Sequence, residues 1–265
     1  MRIPAVLILG ALTVGLFLSC VVPASAQDEL SYEQYRSLSR AADRLDHLAV
    51  FEPLHGEKGM YLALGERFGT VIVLKYTAEG SHRVWKSNQL SGAPEQVLVS
   101  DLDGDGLDDS LICRTGSGKI YVWALEDYTL VYESLPSDYT KIDCLTTANM
   151  DSDPVREIVF IGDGKIVYLD GSSFVKEYTS INDFQASLMR CGDVDGDGRN
   201  EIVLNSGKIV DAQTGSVEWE EEALFTYLEL LDIDGDGILE VITENGLAGP
   251  LKVYDMDYGN EVRFQ

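Results

Sequence analysis

From Val97 to the end of the chain, apolar residues come in short runs rather than in helical steps. Val97-Leu98-Val99, Leu111-Ile112-Cys113, Ile120-Tyr121-Val122-Trp123 and Leu130-Val131-Tyr132-Glu133-Ser134 form one set of four. The set recurs as Ile142-Asp143-Cys144-Leu145, Ile158-Val159-Phe160-Ile161, Ile166-Val167-Tyr168-Leu169 and Phe174-Val175-Lys176-Glu177-Tyr178. A third set is Leu188-Met189, Ile202-Val203-Leu204, Ile209-Val210 and Val217-Glu218-Trp219-Glu220. The last is Leu228-Glu229-Leu230-Leu231, Val241-Ile242-Thr243, Leu251-Lys252-Val253-Tyr254 and Val262-Arg263-Phe264. Runs so short, rich in β-branched residues and bounded by Gly, Asn or Asp, predict strands buried on both faces.

A Gly-Lys-Ile signature marks the period: Gly118-Lys119-Ile120, Gly164-Lys165-Ile166 and Gly207-Lys208-Ile209, with looser members at Gly69-Thr70-Val71 and Gly249-Pro250-Leu251. Its glycines step by 49, 46, 43 and 42 residues. Four strands per unit and five units fill 48–265. One four-stranded sheet cannot cover both of its own faces, whereas units stacked about an axis can. The expected fold is therefore all-β, a β-propeller with five four-stranded blades at about 48–90, 91–136, 137–182, 183–223 and 224–265. A solenoid shares the period but needs polar caps, and the fifth unit ends without one. The first and last units each have four strands of their own, so no strand is exchanged between the ends.

Helical spacing occurs once, in the 27–47 segment, where Tyr32, Tyr35, Leu38, Ala42 and Leu45 recur at three- and four-residue steps behind a Ser31/Gln34 capping box. Packing across the ring is its expected role, with partner binding as the alternative. Ahead of it, Met1-Arg2 precedes an uncharged run from Ile3 to Val22 and then Ala24-Ser25-Ala26. That order predicts a signal peptide over 1–26 and export to the periplasm or the extracellular space. An uncleaved N-terminal anchor is the alternative, since the apolar run is long enough to span. A lipid-attached Cys20 fits worse, because Phe17-Leu18-Ser19 makes a poor lipobox. No later segment could cross a bilayer as a helix.

Charge narrows the partners. Asp and Glu number 45 against 20 Lys and Arg, a net charge of −25. Such a surface repels phosphate backbones, which argues against nucleic acid and favours metal cations or a cationic partner. Cys113, Cys144 and Cys191 would remain after leader removal, enough for one disulfide of undetermined pairing, or for burial as small apolar side chains.

The acids are not scattered. Asp101-Leu102-Asp103-Gly104-Asp105-Gly106-Leu107-Asp108-Asp109 lies between the first and second runs of its unit. Asp193-Val194-Asp195-Gly196-Asp197-Gly198-Arg199-Asn200-Glu201 and Asp232-Ile233-Asp234-Gly235-Asp236-Gly237-Ile238-Leu239-Glu240 occupy the same place. Fifteen of the chain's 45 acids fall at ligand positions of these loops and a fourth, degraded copy. The spacing suits Ca²⁺, which takes about six to eight oxygens. Carboxylates at positions 1, 3 and 5 turn inward if glycines at 4 and 6 let the backbone curl. Position 7 (Leu107, Arg199, Ile238) would offer a carbonyl, and the acid at 9 (Asp109, Glu201, Glu240) would close the shell. An EF-hand waits until position 12 and is flanked by helices, so it is rejected. The degraded copy places Asn149, Asp151, Asp153, Val155 and Glu157 at the ligand positions and Pro154 at the sixth, and it leaves metal binding open.

The loop, with Val99 two residues ahead and Gly-Lys-Ile after it, resembles the FG-GAP/VCBS repeats of integrin α-chain propellers and exported bacterial proteins. The resemblance covers about 48–265. It implies a calcium-stiffened propeller that adheres to or recognises a protein or glycan through loops on one rim. The chain departs in having five units rather than seven, and in a first unit without the acids. No Gly-x-Ser-x-Gly elbow, His-Glu-x-x-His helix or phosphate-cradling loop occurs. The leading expectation is thus an exported calcium-binding module without catalytic activity, for adhesion or as accessory to an envelope complex. The alternative is a carbohydrate-active enzyme or lectin, using acids outside the loops (Asp143, Glu218, Glu229) and Trp85, Trp123 or Trp219 as sugar platforms. Blade packing is the plainer role for those tryptophans.

Overall fold

Successive side chains of a strand point to opposite faces, so a run apolar at every position needs cover on both sides. The computed structural model describes residues 47–52, 59–151, 153–221, 225–245, 251–257 and 261–264. Among them are twenty strands and no α-helix. The expected leader (1–26) and almost all of the expected helix (27–47) lie outside the described residues, as do 53–58, Ser152 and the Gly249-Pro250 pair.

The chain divides within one strand, at Leu98/Val99, into two compact units. The N-terminal unit holds one antiparallel sheet in chain order, β1 (Leu48–Phe51), β2 (Met60–Glu66), β3 (Thr70–Thr77) and β4 (Gly80–Lys86). Ala63, Leu64, Val71 and Val73 are its buried centre. The dividing strand is β5 (Pro94–Ser100).

In the C-terminal unit, β6 (Ser110–Thr115), β7 (Lys119–Ala124) and β8 (Leu130–Glu133) pair antiparallel. Next come β9 (Ile142–Ala148), β10 (Glu157–Gly162), β11 (Lys165–Leu169) and β12 (Lys176–Thr179). The last two sheets are β13 (Met189–Gly192), β14 (Glu201–Leu204), β15 (Lys208–Asp211) and β16 (Val217–Glu220), then β17 (Phe225–Leu231), β18 (Glu240–Asn245), β19 (Leu251–Asp255) and β20 (Glu261–Phe264). Each is an up-and-down meander in chain order. Their first strands neighbour one another, β13 lying against both β9 and β17.

The core follows from the two-faced strands. Val159 and Ile161 of β10 meet Ile202 and Leu204 of β14 in one cluster. The intervening Val203 points the other way, to Phe225, Leu228 and Val241. One strand thus supplies both of its neighbours. The fourth strands have little to bury: Leu130, Val131 and Val217 are 45%, 49% and 39% exposed.

The glycine of Gly-Lys-Ile closes the turn between second and third strands. Gly69, Gly118, Gly164 and Gly207 have φ of 85°, 74°, 84° and 83°, the left-handed region that glycine enters without strain. The residue two positions on donates its N–H to a serine hydroxyl ending the fourth strand: Val71 to Ser87 (2.9 Å), Ile120 to Ser134 (3.0 Å) and Ile166 to Ser180 (3.0 Å).

Two residues read from the sequence as strand starts lie outside their strands. Phe174 is a turn residue with φ of 57°, donating its N–H to the Asp170 carbonyl (2.8 Å) and stacking on Tyr132, so β12 begins at Lys176. Leu188 gives its N–H to Asn205 Oδ1 (3.1 Å) and stays outside β13. Cys113 and Cys144 are buried free thiols and Cys191 is half-buried.

Phe160 is fully buried in β10, with its ring edge-on to Tyr139 at 5.0 Å. Phe160→Ala is expected to destabilise the protein by about 3–5 kcal/mol, whereas Val131→Ala on the exposed β8 should stay within ~0.5 kcal/mol. Paired urea melts check both.

Candidate metal-binding loops

The acidic loops join the first to the second strand, where the chain must turn sharply before entering a fully buried strand. The backbone does so by folding onto its own carboxylates. In 101–109, Asp101 accepts the N–H of Gly104 (2.8 Å) on one oxygen and that of Gly106 (2.9 Å) on the other. Asp193 does the same with Gly196 and Gly198 (2.8 and 3.0 Å), and Asp232 with Gly235 and Gly237 (2.6 and 3.1 Å). Position 3 accepts the N–H of position 5: Asp103 from Asp105 (3.1 Å), Asp195 from Asp197 (3.0 Å) and Asp234 from Asp236 (3.3 Å). Position 5 accepts from position 7, with Leu107, Arg199 and Ile238 donating at 2.8, 2.9 and 2.9 Å.

This bracing gathers the carboxylates. Oxygens of Asp101, Asp103 and Asp105 lie within 4.8 Å of one another, as do those of Asp193, Asp195 and Asp197, and those of Asp232, Asp234 and Asp236. An all-oxygen anionic cluster is the donor chemistry of a hard divalent ion, and like charges so close repel unless a cation lies among them. The residues present fit Ca²⁺.

Position 9 is more deeply seated than its spacing suggests. Glu157, Glu201 and Glu240 are 1%, 1% and 3% exposed. Each accepts the N–H of position 2: Met150 (2.5 Å), Val194 (3.0 Å) and Ile233 (2.6 Å). In the first loop the turn is closed instead by Asp108, which accepts the Asp101 N–H (3.0 Å), while Asp109 accepts from the Ser110 hydroxyl. Burial, then the neighbouring aspartates, raises the Asp109 carboxyl. Burial pushes Glu157 and Glu201 up to about 7.

The degraded loop keeps part of the plan. Asp151 accepts from Asp153 (2.7 Å), Asp153 from Val155 (2.8 Å), and oxygens of Asp151, Asp153 and Glu157 lie within 4.8 Å of one another. Pro154 has no N–H to return to position 1, and Asn149 there turns its amide to the Asp153 carbonyl instead. The two substitutions answer each other.

Sequence reading missed two features. Glu218 of β16, noted only as an acid outside the loops, converges with Asp195 and Glu201 within 4.8 Å. Its counterpart Glu177 stands at the same place in the preceding unit, and that recurrence was the available signal. The loops are also tied in series through position 8. Arg156 N–H donates to the Leu102 carbonyl (2.9 Å), Asn200 Nδ2 to the Asn149 carbonyl (2.6 Å), and Leu239 N–H to the Asp193 carbonyl (2.9 Å). Position 2 is buried at Leu102, Met150 and Val194, and 44% exposed at Ile233, the end of the series.

Four of the residues named for carbohydrate chemistry are otherwise engaged. Glu229 holds Arg190 of the neighbouring strand in a two-point ion pair (3.0 and 3.2 Å), and Asp143 pairs with Lys141. Trp123 is 4% exposed, and Trp219 packs edge-on to Tyr254.

No family model and no curated protein matches the chain. Solved structures do. A chain from the crystal structure of BBS1N in complex with ARL6DN is similar at a TM-score of 0.59 and 14% identity, over 83% of this chain and 67% of that one. The V. cholerae biofilm matrix protein Bap1 gives 0.57 at 14% identity, over 81% of this chain and 38% of that one. The β-propeller domain of Myceliophteria thermophila Cps50 (Swd1) gives 0.54 at 13% identity, over 83% and 71%. The chain is an all-β protein of five antiparallel sheets whose structural relatives are β-propellers.

Two outcomes follow for the loops. A Cβ on Gly104 would meet the Pro154 carbonyl oxygen at 2.2 Å, whereas one on Gly106 meets nothing within 4 Å, both residues having positive φ. Gly106→Ala should cost only the left-handed strain, about 1–2 kcal/mol, and Gly104→Ala clearly more, in parallel thermal melts. The raised Glu201 also sets a pH dependence. Its folded value near 7 exceeds the ordinary 4.5, so the folded state holds a proton that the unfolded chain releases. That contribution is present below about 4.5 and lost as pH rises through 7. In chelator, the melting temperature should fall less across that window in Glu201→Gln than in the wild type.

Proposed function

We propose that this chain is an exported, calcium-stiffened β-propeller of the FG-GAP/VCBS type, a binding module without catalytic activity. The observation that carries the proposal is the threefold repetition of one loop geometry, at 101–109, 193–201 and 232–240, each gathering three aspartates within 4.8 Å. Asp101, Asp103, Asp105 and Asp109 would hold the first ion. Asp193, Asp195, Asp197 and Glu201 would hold the second with Glu218 beside them, and Asp232, Asp234, Asp236 and Glu240 the third, carbonyls of Leu107, Arg199 and Ile238 adding to each. Bound calcium would supply charge neutralisation and rigidity; the chain's own part is to fix the carboxylates in advance through the glycine amides.

Export is supported by the basic start, the apolar run and Ala24-Ser25-Ala26. Calcium near the millimolar range outside the cytosol would fill sites of modest affinity. Among the described residues no helix is long and apolar enough to cross a membrane. A binding role is in keeping with similar folds, one taken from a complex and one a biofilm matrix protein. The partner is a protein or glycan met outside the cytoplasm.

Titration calorimetry on chelator-stripped protein should count three calcium ions, and Asp103→Asn, Asp195→Asn and Asp234→Asn should each remove one. At a hundredfold excess each site contributes about 2.7 kcal/mol. Three would raise the melting temperature by roughly 15–30 °C, at about 2–4 °C per kcal/mol for a chain of this size. An unchanged melt with and without chelator would refute the calcium assignment.

A further inference from the structure

The fourth strands are the edges of their sheets, and an edge leaves alternate N–H and C=O groups free to pair with another chain. Four of the five are guarded by a β-bulge near their start. Val131 of β8, Glu177 of β12 and Glu218 of β16 are extra residues, opposite no partner, and each is the second residue of its strand. Arg263 is extra as the third residue of β20. A bulge so placed bends the edge before another strand can register on it.

β4 is built differently. Its extra residue is Val84, the fifth of the strand, and the residues ahead of it, 80–83, pair without interruption with 74–77 of β3. The strand runs seven residues, against four in β8, β12, β16 and β20. Among the described residues no strand pairs with its outer side, and Ser81, His82 and Arg83 are exposed.

Charge sets β4 apart as well. Each of the other fourth strands carries at least one glutamate, and β4 carries no acid. Lys86, beyond the bulge, is held by Glu66 (2.7 Å). His82 and Arg83 stand on the regular stretch, with Lys75 of β3 directly across from His82. Residues 99–265 hold 35 acids against 11 Lys and Arg, whereas residues 48–98 hold five of each. The basic edge thus belongs to the segment without an excess of acid, and acids further off are screened beyond about 8 Å at physiological ionic strength.

The combination selects its occupant. Free amides and carbonyls along 80–83 accept an extended backbone, as in strand addition, and the side chains decide which one. Neighbouring residues of a strand face opposite ways, so an acidic strand would bring carboxylates to Arg83 on one face and to His82 and Lys75 on the other. A basic strand is repelled on both.

We propose that residues 80–83 of β4 form a docking edge that takes an extended acidic segment of a partner polypeptide as a fifth strand of the sheet. Only the external source of that segment rests on the binding-module reading.

The test uses the ¹⁵N-labelled full chain, in millimolar calcium and in chelator, and three capped probes. These are Thr-Val-Glu-Glu-Val-Thr, its counterpart Thr-Val-Lys-Lys-Val-Thr, and the acidic peptide N-methylated at every residue. The acidic peptide should shift the amides of Ser81, His82 and Arg83 saturably at millimolar concentration, as befits a short edge, and slow their exchange with solvent. The lysine and N-methylated peptides should each bind at least tenfold more weakly, ~1.4 kcal/mol. Arg83→Glu should erase the preference for the acidic peptide with the melting temperature unchanged. Equal binding of the N-methylated peptide would reduce the effect to charge attraction, and equal binding of the lysine peptide would remove the charge selection; either overturns the proposal. So would shifts confined to 101–109, 193–201 and 232–240. A dimer in sedimentation of the peptide-free chain, with the same amides shifted, would overturn it too, the occupant then being a second copy. Edge binding with no calcium ions counted would overturn the calcium assignment alone; three calcium ions without shifts in 80–83 would overturn the docking edge alone.

Discussion

The structure depends on sheets that are apolar on both faces. A strand such as β14, with Ile202 and Leu204 directed to one neighbour and Val203 to the other, is stable only between two further sheets. That requirement explains the repetition, the adjacency of β9, β13 and β17, and the exposure of the fourth strands, which have only one partner strand to satisfy. It also concentrates the clustered acids in the loops, since the second and third strands have no free face on which to carry them.

The loops meet a second constraint, that carboxylates crowded within 4.8 Å must be held there before anything neutralises them. Their own amides do the holding, each aspartate spending oxygens on N–H groups further along the loop. The glycines at positions 4 and 6 act as donors as well as hinges, which is why Pro154 arrives together with Asn149: without the donor, the acceptor has no work. Glu157, Glu201 and Glu240 then fasten the loop's start to the buried strand that follows.

The fold was legible because its signal is composition on a period. From β6 onward, every second and third strand lay where a short apolar run stood, and the acidic loops fell between first and second strands as their spacing implied. What escaped notice depends on single side chains. Phe174 looks like a strand residue but turns to stack on Tyr132. Ser87, Ser134 and Ser180 recur at the Gly-Lys-Ile period, yet an isolated serine has no visible role until its acceptor geometry is known. Glu218 and Glu177 were present as acids, but which carboxylate reaches which loop is decided by the register of β12 and β16, a long-range property that no local pattern carries.

The position-8 contacts have a mechanical meaning. Because Arg156, Asn200 and Leu239 each grip the carbonyl of the loop before, the four acidic turns are coupled like links in a tether, and a shift in one strains the next. Stiffening any of them restrains its neighbours, so ordering can spread across sheets whose apolar centres never move. The link carrying Pro154, already inflexible, sits second in that tether, where it limits how far slack can pass between the first loop and the last two.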